Sequence, residues 1–344
     1  MTLEPFSGFT TYPTHHCVTG SLKHIYDFHG FPVTEDLLLG LGQGIGFAYF
    51  HIKGTDPFYG GRANHREGPN SEGLEKTVGR NTGVAVESHT TTSSRKAADT
   101  LRELLISSTP VFVQTDMGFL PYFDFPEEFH FGGHTVVVAG YDAETDDVLI
   151  ADRDRSLHRV GWSALEKARG SKFKPFPPKH RWLTFDFSGA HPPNTQGVRD
   201  AITGTCHQML NPPIANLGTR GIRKAKTETL KWPNVIDSEG LRRTCFTIAL
   251  FIDHRGGTGG GLFRYMYARF LSEAAEIASE PRLAELAPRL NTIGDRWEQV
   301  ASAFAHAATV PEPANHLGAA TAPMDDIADL EQQFWEDLAS IVDS

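Results

Sequence analysis

The stretch from Gly132 to Asp152 limits what this chain can fold into more than any other. A glycine pair leads into His134, which opens a run of β-branched and small apolar residues, Thr135-Val136-Val137-Val138-Ala139-Gly140-Tyr141. Asp142 to Asp147 is polar and turn-rich, and Val148-Leu149-Ile150-Ala151 returns before Asp152. Two short apolar runs around a polar turn read as a β-hairpin. Its strands are then antiparallel, and Asp152 comes back beside His134 at one end of the ladder. A carboxylate there can accept from one imidazole nitrogen and leave the other for a second partner.

Cys17 is the candidate for that partner. It directly precedes a helix that places Leu22, Ile25 and Tyr26 at helical spacing. A thiol at a helix N-terminus has its pKa lowered by the peptide dipole. The neighbouring His15 and His16 add positive potential. Thioester chemistry needs a thiolate, a base to form it and a group to orient the base. Cys17, His134 and Asp152 supply these three roles. The plainer alternative is a buried structural thiol, a core histidine and a turn carboxylate. The other two cysteines, Cys206 beside His207 and Cys245 within Thr244-Cys245-Phe246-Thr247-Ile248, read as buried helix residues. Three cysteines are too few and too odd for a disulfide framework.

Up to about residue 187 helical and extended patterns mix, with helices gathered early and strands late, which predicts an α+β fold with an antiparallel sheet. Strands are expected at 47–52, 84–89, 110–115, 134–141, 148–151 and 181–187. Helices are expected at 21–29, 34–41, 71–80, 94–107 and 162–168. Gly189, Pro192 and Pro193 suit a linker. Beyond it the texture is mainly helical, with candidates at 262–279, from Pro281, at 297–308 and at 324–342. The division expected is therefore 1–190 and 191–344.

The 344 residues carry a formal net charge of -10. That balance argues against nucleic acid and against a membrane surface as partners. Residues 1–16 do not read as a signal peptide, no apolar run is long enough for a bilayer, and a cytoplasmic setting is expected. Lys167, Arg169, Lys172, Lys174, Lys179 and Arg181 form a basic run with no acid between them. It reads either as a solvated loop or, through Lys172, Lys174, Lys179 and Arg181, as a docking patch for an acidic partner. The Gly256–Gly261 run lacks the Gly-Lys-Ser/Thr ending of a phosphate loop, and reads as a mobile loop before a helix. His15, His16 and His65 lack metal-ligand spacing, so no metal or other cofactor is expected.

Three stretches, His15-His16-Cys17, Gly133-His134-Thr135 and Ile150-Ala151-Asp152, resemble the N-terminal domain of the butirosin biosynthesis protein H family. Gly256-Gly257-Thr258-Gly259-Gly260-Gly261-Leu262-Phe263-Arg264 and Phe270-Leu271-Ser272-Glu273-Ala274 resemble the helical domain that follows it there. The resemblance implies a papain-like, C39-like catalytic domain followed by an all-helical one. It further implies an acyltransferase that takes an acyl group from the pantetheine thioester of an acyl carrier protein, holds it on Cys17 and passes it to an amine or hydroxyl of a small-molecule acceptor. Papain-like enzymes place a Gln shortly before the Cys, and residues 9–16 contain none; His16 or Gln43 is the candidate replacement. Hydrolysis by the same three residues, and an inactive binding protein that keeps the fold, are the alternatives. A homodimer is compatible with the sequence.

Overall fold

The computed structural model describes residues 3–52, 54–64, 67–68, 71–174 and 176–342, so His65 lies outside the described residues. The chain forms two compact units, Met1–Leu38 with Gly83–Pro192, and Leu39–Thr82 with Pro193–Ser344. The contiguous division expected at residue 190 therefore fails for residues 39–82. The aromatic side chains of that segment explain the difference, as given below. The fold is α+β with antiparallel sheets and a helical C-terminal region.

In chain order, α1 (Cys17–Phe28) and α2 (Glu35–Leu41) come first. Then follow β1 (Ile45–Phe50), β2 (Phe58–Arg62), the short pair β3 (Glu67–Gly68) and β4 (Ser71–Glu72), and α3 (Leu74–Thr82). The first unit resumes with β5 (Ala85–His89), α4 (Ser94–Ile106), β6 (Val111–Thr115), β7 (His134–Asp142), β8 (Asp147–Ala151), β9 (Leu157–Gly161), α5 (Trp162–Gly170) and β10 (Trp182–Asp186). The second unit continues with α6 (Thr195–Leu210), α7 (Gly218–Thr229), α8 (Ser238–Ile252), α9 (Arg264–Ala278), α10 (Arg282–Thr309), α11 (Leu317–Thr321) and α12 (Met324–Val342).

The first unit is built on a six-stranded antiparallel sheet of order β5-β10-β6-β7-β8-β9. Its middle strand β7 is buried from His134 to Gly140, which is why its sequence runs apolar rather than alternating. Val136, Val138, Val113, Val148 and Ile150 pack with Leu101 and Leu105 of α4 and Leu165 of α5. The helix α1 also packs against β7.

In the second unit β1 and β2 pair as a hairpin among helices. Phe47 of β1 stacks on Trp297 of α10 with ring centroids 5.4 Å apart. Tyr59 of β2 meets Trp232 and Phe304, and all of these side chains are buried. Such rings contribute far more by burial inside a helical core than in a solvated hairpin. Arg264 and Glu331 form a fully buried ion pair, and Trp297 and Trp335 donate their indole N–H groups to the same carboxylate. Among the described residues no helix is long and apolar enough to cross a membrane.

Candidate active site

His134 is the first residue of β7, and Asp152 directly follows β8. Register decides whether they meet. The turn pairs Asp142 with Asp147 and Gly140 with Leu149, but past Ala139 the pairing shifts to Val138 with Ile150 and Val137 with Ala151. The shift is a β-bulge. A one-residue slip moves side chains to the opposite face of a sheet. It carries Asp152 towards Val136, on the side of the ladder that His134 shares. The Asp152 carboxylate accepts from His134 Nε2 at 2.7 Å. Gly140 within the β-branched run was the available signal for the bulge.

Cys17 opens α1, with His16 as N-cap. The segment before it is tied to the hairpin's end: Thr14 N donates to Arg153 O at 2.8 Å, and Thr11 Oγ1 to Arg155 O at 2.8 Å. The partly buried Cys17 thiol thereby comes beside the His134 imidazole and the Thr135 backbone N–H, both of which act to lower its pKa. With Nε2 on Asp152, the ring's other nitrogen, Nδ1, is the one left for the sulfur.

Three further groups brace this line, and local sequence pattern revealed none of them. Tyr122 donates its hydroxyl to Asp152 Oδ2 at 2.9 Å, the oxygen that His134 also uses. Arg153 Nε stands 4.0 Å from Oδ1. Glu35, at the start of α2, accepts from the backbone N–H of His15 at 2.9 Å, of His16 at 2.7 Å, and from the Thr19 hydroxyl at 2.9 Å. A buried carboxylate thus clamps the turn that presents Cys17, although burial pushes its pKa up.

The electrostatics follow from these contacts. Burial would raise the Cys17 thiol, but the hydrogen bond and charge of His134, the Thr135 N–H and Arg153 outweigh it and bring the thiol to about 7. Burial would lower His134, but Asp152 and Cys17 raise it to about 9. Burial would raise Asp152, but His134, Arg153 and Tyr122 bring it to about 2. A thiol more acidic than the imidazole beside it favours the thiolate–imidazolium form of the pair over the neutral one.

The remaining sequence candidates are scattered. His16 is buried, with Nδ1 on Thr19 of the first helical turn. Gln43 belongs to the second unit, where its side chain accepts from Gln208 at 2.9 Å. Lys172, Lys174 and Lys179 are exposed. Arg181 is half-buried, with Nε on Ser88. Arg169 leaves the surface altogether: it is buried and donates to the carbonyls of Ala97 and His180. The Gly256–Gly261 run is a packed turn rather than a mobile loop. Gly257, Thr258, Gly260 and Gly261 are buried, and Gly261 N donates to Glu298. Gly261 has φ +54° and its Cα side faces Gly294, so a Cβ there would sit 2.8 Å from backbone. Cys206 and Cys245 are buried on α6 and α8, and burial pushes the Cys245 thiol up to about 12.

Residues 16–153 match the family model described as butirosin biosynthesis protein H, N-terminal. That match begins one residue before Cys17 and ends one residue after Asp152. Residues 163–338 match a domain of unknown function, DUF4872. No curated protein matches the chain. The name of the first family ties it to antibiotic biosynthesis. The chain belongs to the butirosin biosynthesis protein H family, with the DUF4872 domain as its C-terminal part.

Proposed function

We propose that this protein is a cysteine acyltransferase of antibiotic biosynthesis with a papain-like catalytic unit. The placement of Cys17 beside a His134 whose Nε2 is held by Asp152 at 2.7 Å is the observation that carries the reading. A nucleophile opening a helix against an antiparallel sheet, with its base and orienting carboxylate on the next hairpin, supports the papain-like assignment. In the first half-reaction the Cys17 thiolate attacks the carbonyl of a pantetheine thioester. The new C–Sγ bond forms as the old C–S bond breaks, and the His134 Nδ1 proton goes to the departing thiol. In the second, an acceptor amine or hydroxyl attacks, its proton passes to His134, and Cys17 leaves as thiolate. The backbone N–H of Cys17, first in its helix and without an intrahelical partner, would donate to the oxyanion. Exposed Lys172, Lys174 and Lys179 would receive an acidic carrier protein.

Intact mass after incubation with acyl-pantetheine thioesters tests the reading. The wild type is expected to gain the acyl mass and Cys17→Ala to gain none. Free acid released by the wild type, undiverted by added amines, would replace transfer by hydrolysis. An unmodified wild type with no product would overturn the mechanism.

A further inference from the structure

The loop between β6 and β7 carries a row of phenylalanines that begins at the candidate base. Phe123 meets the His134 ring edge-on, with centroids 5.8 Å apart. Phe123 stacks on Phe125 at 5.2 Å, and Phe125 lies 4.2 Å from Phe129. Phe125 and Phe129 are 39% and 37% exposed. A single exposed phenylalanine needs no explanation, but contiguous exposed rings mark a recognition surface.

The loop is held rather than loose. The buried carboxylate of Asp116 accepts from Gly118 N at 3.1 Å, Phe131 N at 3.0 Å, Ser171 Oγ at 2.6 Å and faces His130 Nδ1 at 3.0 Å. These bonds close the base of the loop. Tyr122 then ties its far side to Asp152. Asp124, Glu127 and Glu128, all exposed, lie between and beside the rings.

Building on the acyl-enzyme reading, we infer that the row Phe123–Phe125–Phe129 binds the acyl chain presented to Cys17, and that this chain is apolar and lacks a terminal carboxylate. Two observations select this occupant. The row starts on the ring of His134, so an acyl group whose carbonyl sits between Cys17 and His134 meets Phe123 next. The acidic side chains repel a carboxylate-ended chain and leave a neutral one unopposed. Aromatic walls with few polar groups are the common lining for such ligands.

Calorimetric titration of Cys17→Ala with acyl-pantetheine amides tests this. Their nitrogen replaces the thioester sulfur, so they bind without reacting, and the result does not depend on whether Cys17 can be acylated. With chains of two, four, six and eight carbons, affinity should rise by about fourfold per methylene until the row is covered. An eight-carbon chain ending in carboxylate should bind more weakly than its methyl-ended counterpart. Adding Phe125→Ala or Phe129→Ala should flatten the rise. Phe125→Leu, which keeps apolar area without the stack, should fall between. Phe246→Ala, at a phenylalanine 55% exposed on α8, should keep it. Affinity independent of chain length, or a rise retained in both alanine variants, would overturn the proposal. Failure of the acyltransferase reading would show separately, as a wild type that gains no acyl mass from thioesters.

Discussion

Asp152 spends one oxygen, Oδ2, on both His134 and Tyr122, and that economy sets the chemistry of Cys17. The carboxylate is the main charge holding His134 protonated, and the protonated ring in turn holds the thiol low. Replacing Asp152 by Asn keeps the shape and removes the charge. The rate of Cys17 alkylation by iodoacetamide is expected to titrate near 7 in the wild type, and above 8 in Asp152→Asn, nearer an unperturbed thiol. An unchanged profile would disconnect Asp152 from the thiol. Cys17, His134 and Asp152 were legible because each sits in a local pattern: a cysteine before an amphipathic run, a histidine opening a strand, an aspartate closing the hairpin. Tyr122 was not, since it lies in a loop of irregular backbone and reaches Asp152 across thirty positions.

At the scale of elements, α1 and the turn before it are the parts most exposed to failure. Two consecutive backbone N–H groups, of His15 and His16, point at the two oxygens of Glu35. In Glu35→Gln one of them must face an NH₂ group, which cannot accept. Leaving a buried donor unsatisfied costs about 1–3 kcal/mol. Urea unfolding should show a loss of that order, and Cys17 alkylation should slow as the turn loosens. Stability equal to wild type would remove Glu35 from this role. Glu35 falls in the first turn of the helix expected from residue 34, where an acid is favourable anyway. That local reason was sufficient, so nothing in it disclosed the contact with His15 and His16. The hairpin β7–β8 was legible from two short apolar runs and the turn chemistry between them. Its bulge was not, because a ladder's register depends on pairing across the sheet. Strands β2 and β9 were missed for a related reason: Phe58-Tyr59-Gly60-Gly61-Arg62 and Leu157-His158-Arg159-Val160-Gly161 have too few β-branched residues to stand out.

For the whole molecule, the change of texture near residue 190 was visible as composition, whereas the assignment of residues 39–82 to the second unit rests on which aromatic core their rings enter. The same scale shows what the thiolate–imidazolium pair does to stability as pH changes. In the unfolded chain His134 releases its proton near 6.5 and Cys17 near 9. In the folded unit the order reverses, with Cys17 at about 7 and His134 at about 9. Between those values each state holds one proton on the pair, on sulfur when unfolded and on nitrogen when folded. Equal proton counts mean that the pair adds no slope to stability against pH there. Cys17→Ala removes the compensation. Asp152 still favours the charged His134, so the folded variant holds a proton that the unfolded chain has lost above about 6.5. That raised pKa stabilises the variant fully below 6.5, and the contribution is lost as pH rises through the folded value. Scanning calorimetry of both proteins across this range should therefore show the wild type gaining on the variant, by up to about 1.4 kcal/mol per pH unit. On the acid side Asp152, depressed from 3.8 to about 2, stabilises both above about 4 and fails in both as pH falls through 2. The two curves should therefore run parallel in acid and part only above 6.5. A gap that stays constant across neutral pH would mean that no proton moves from Cys17 to His134 on folding.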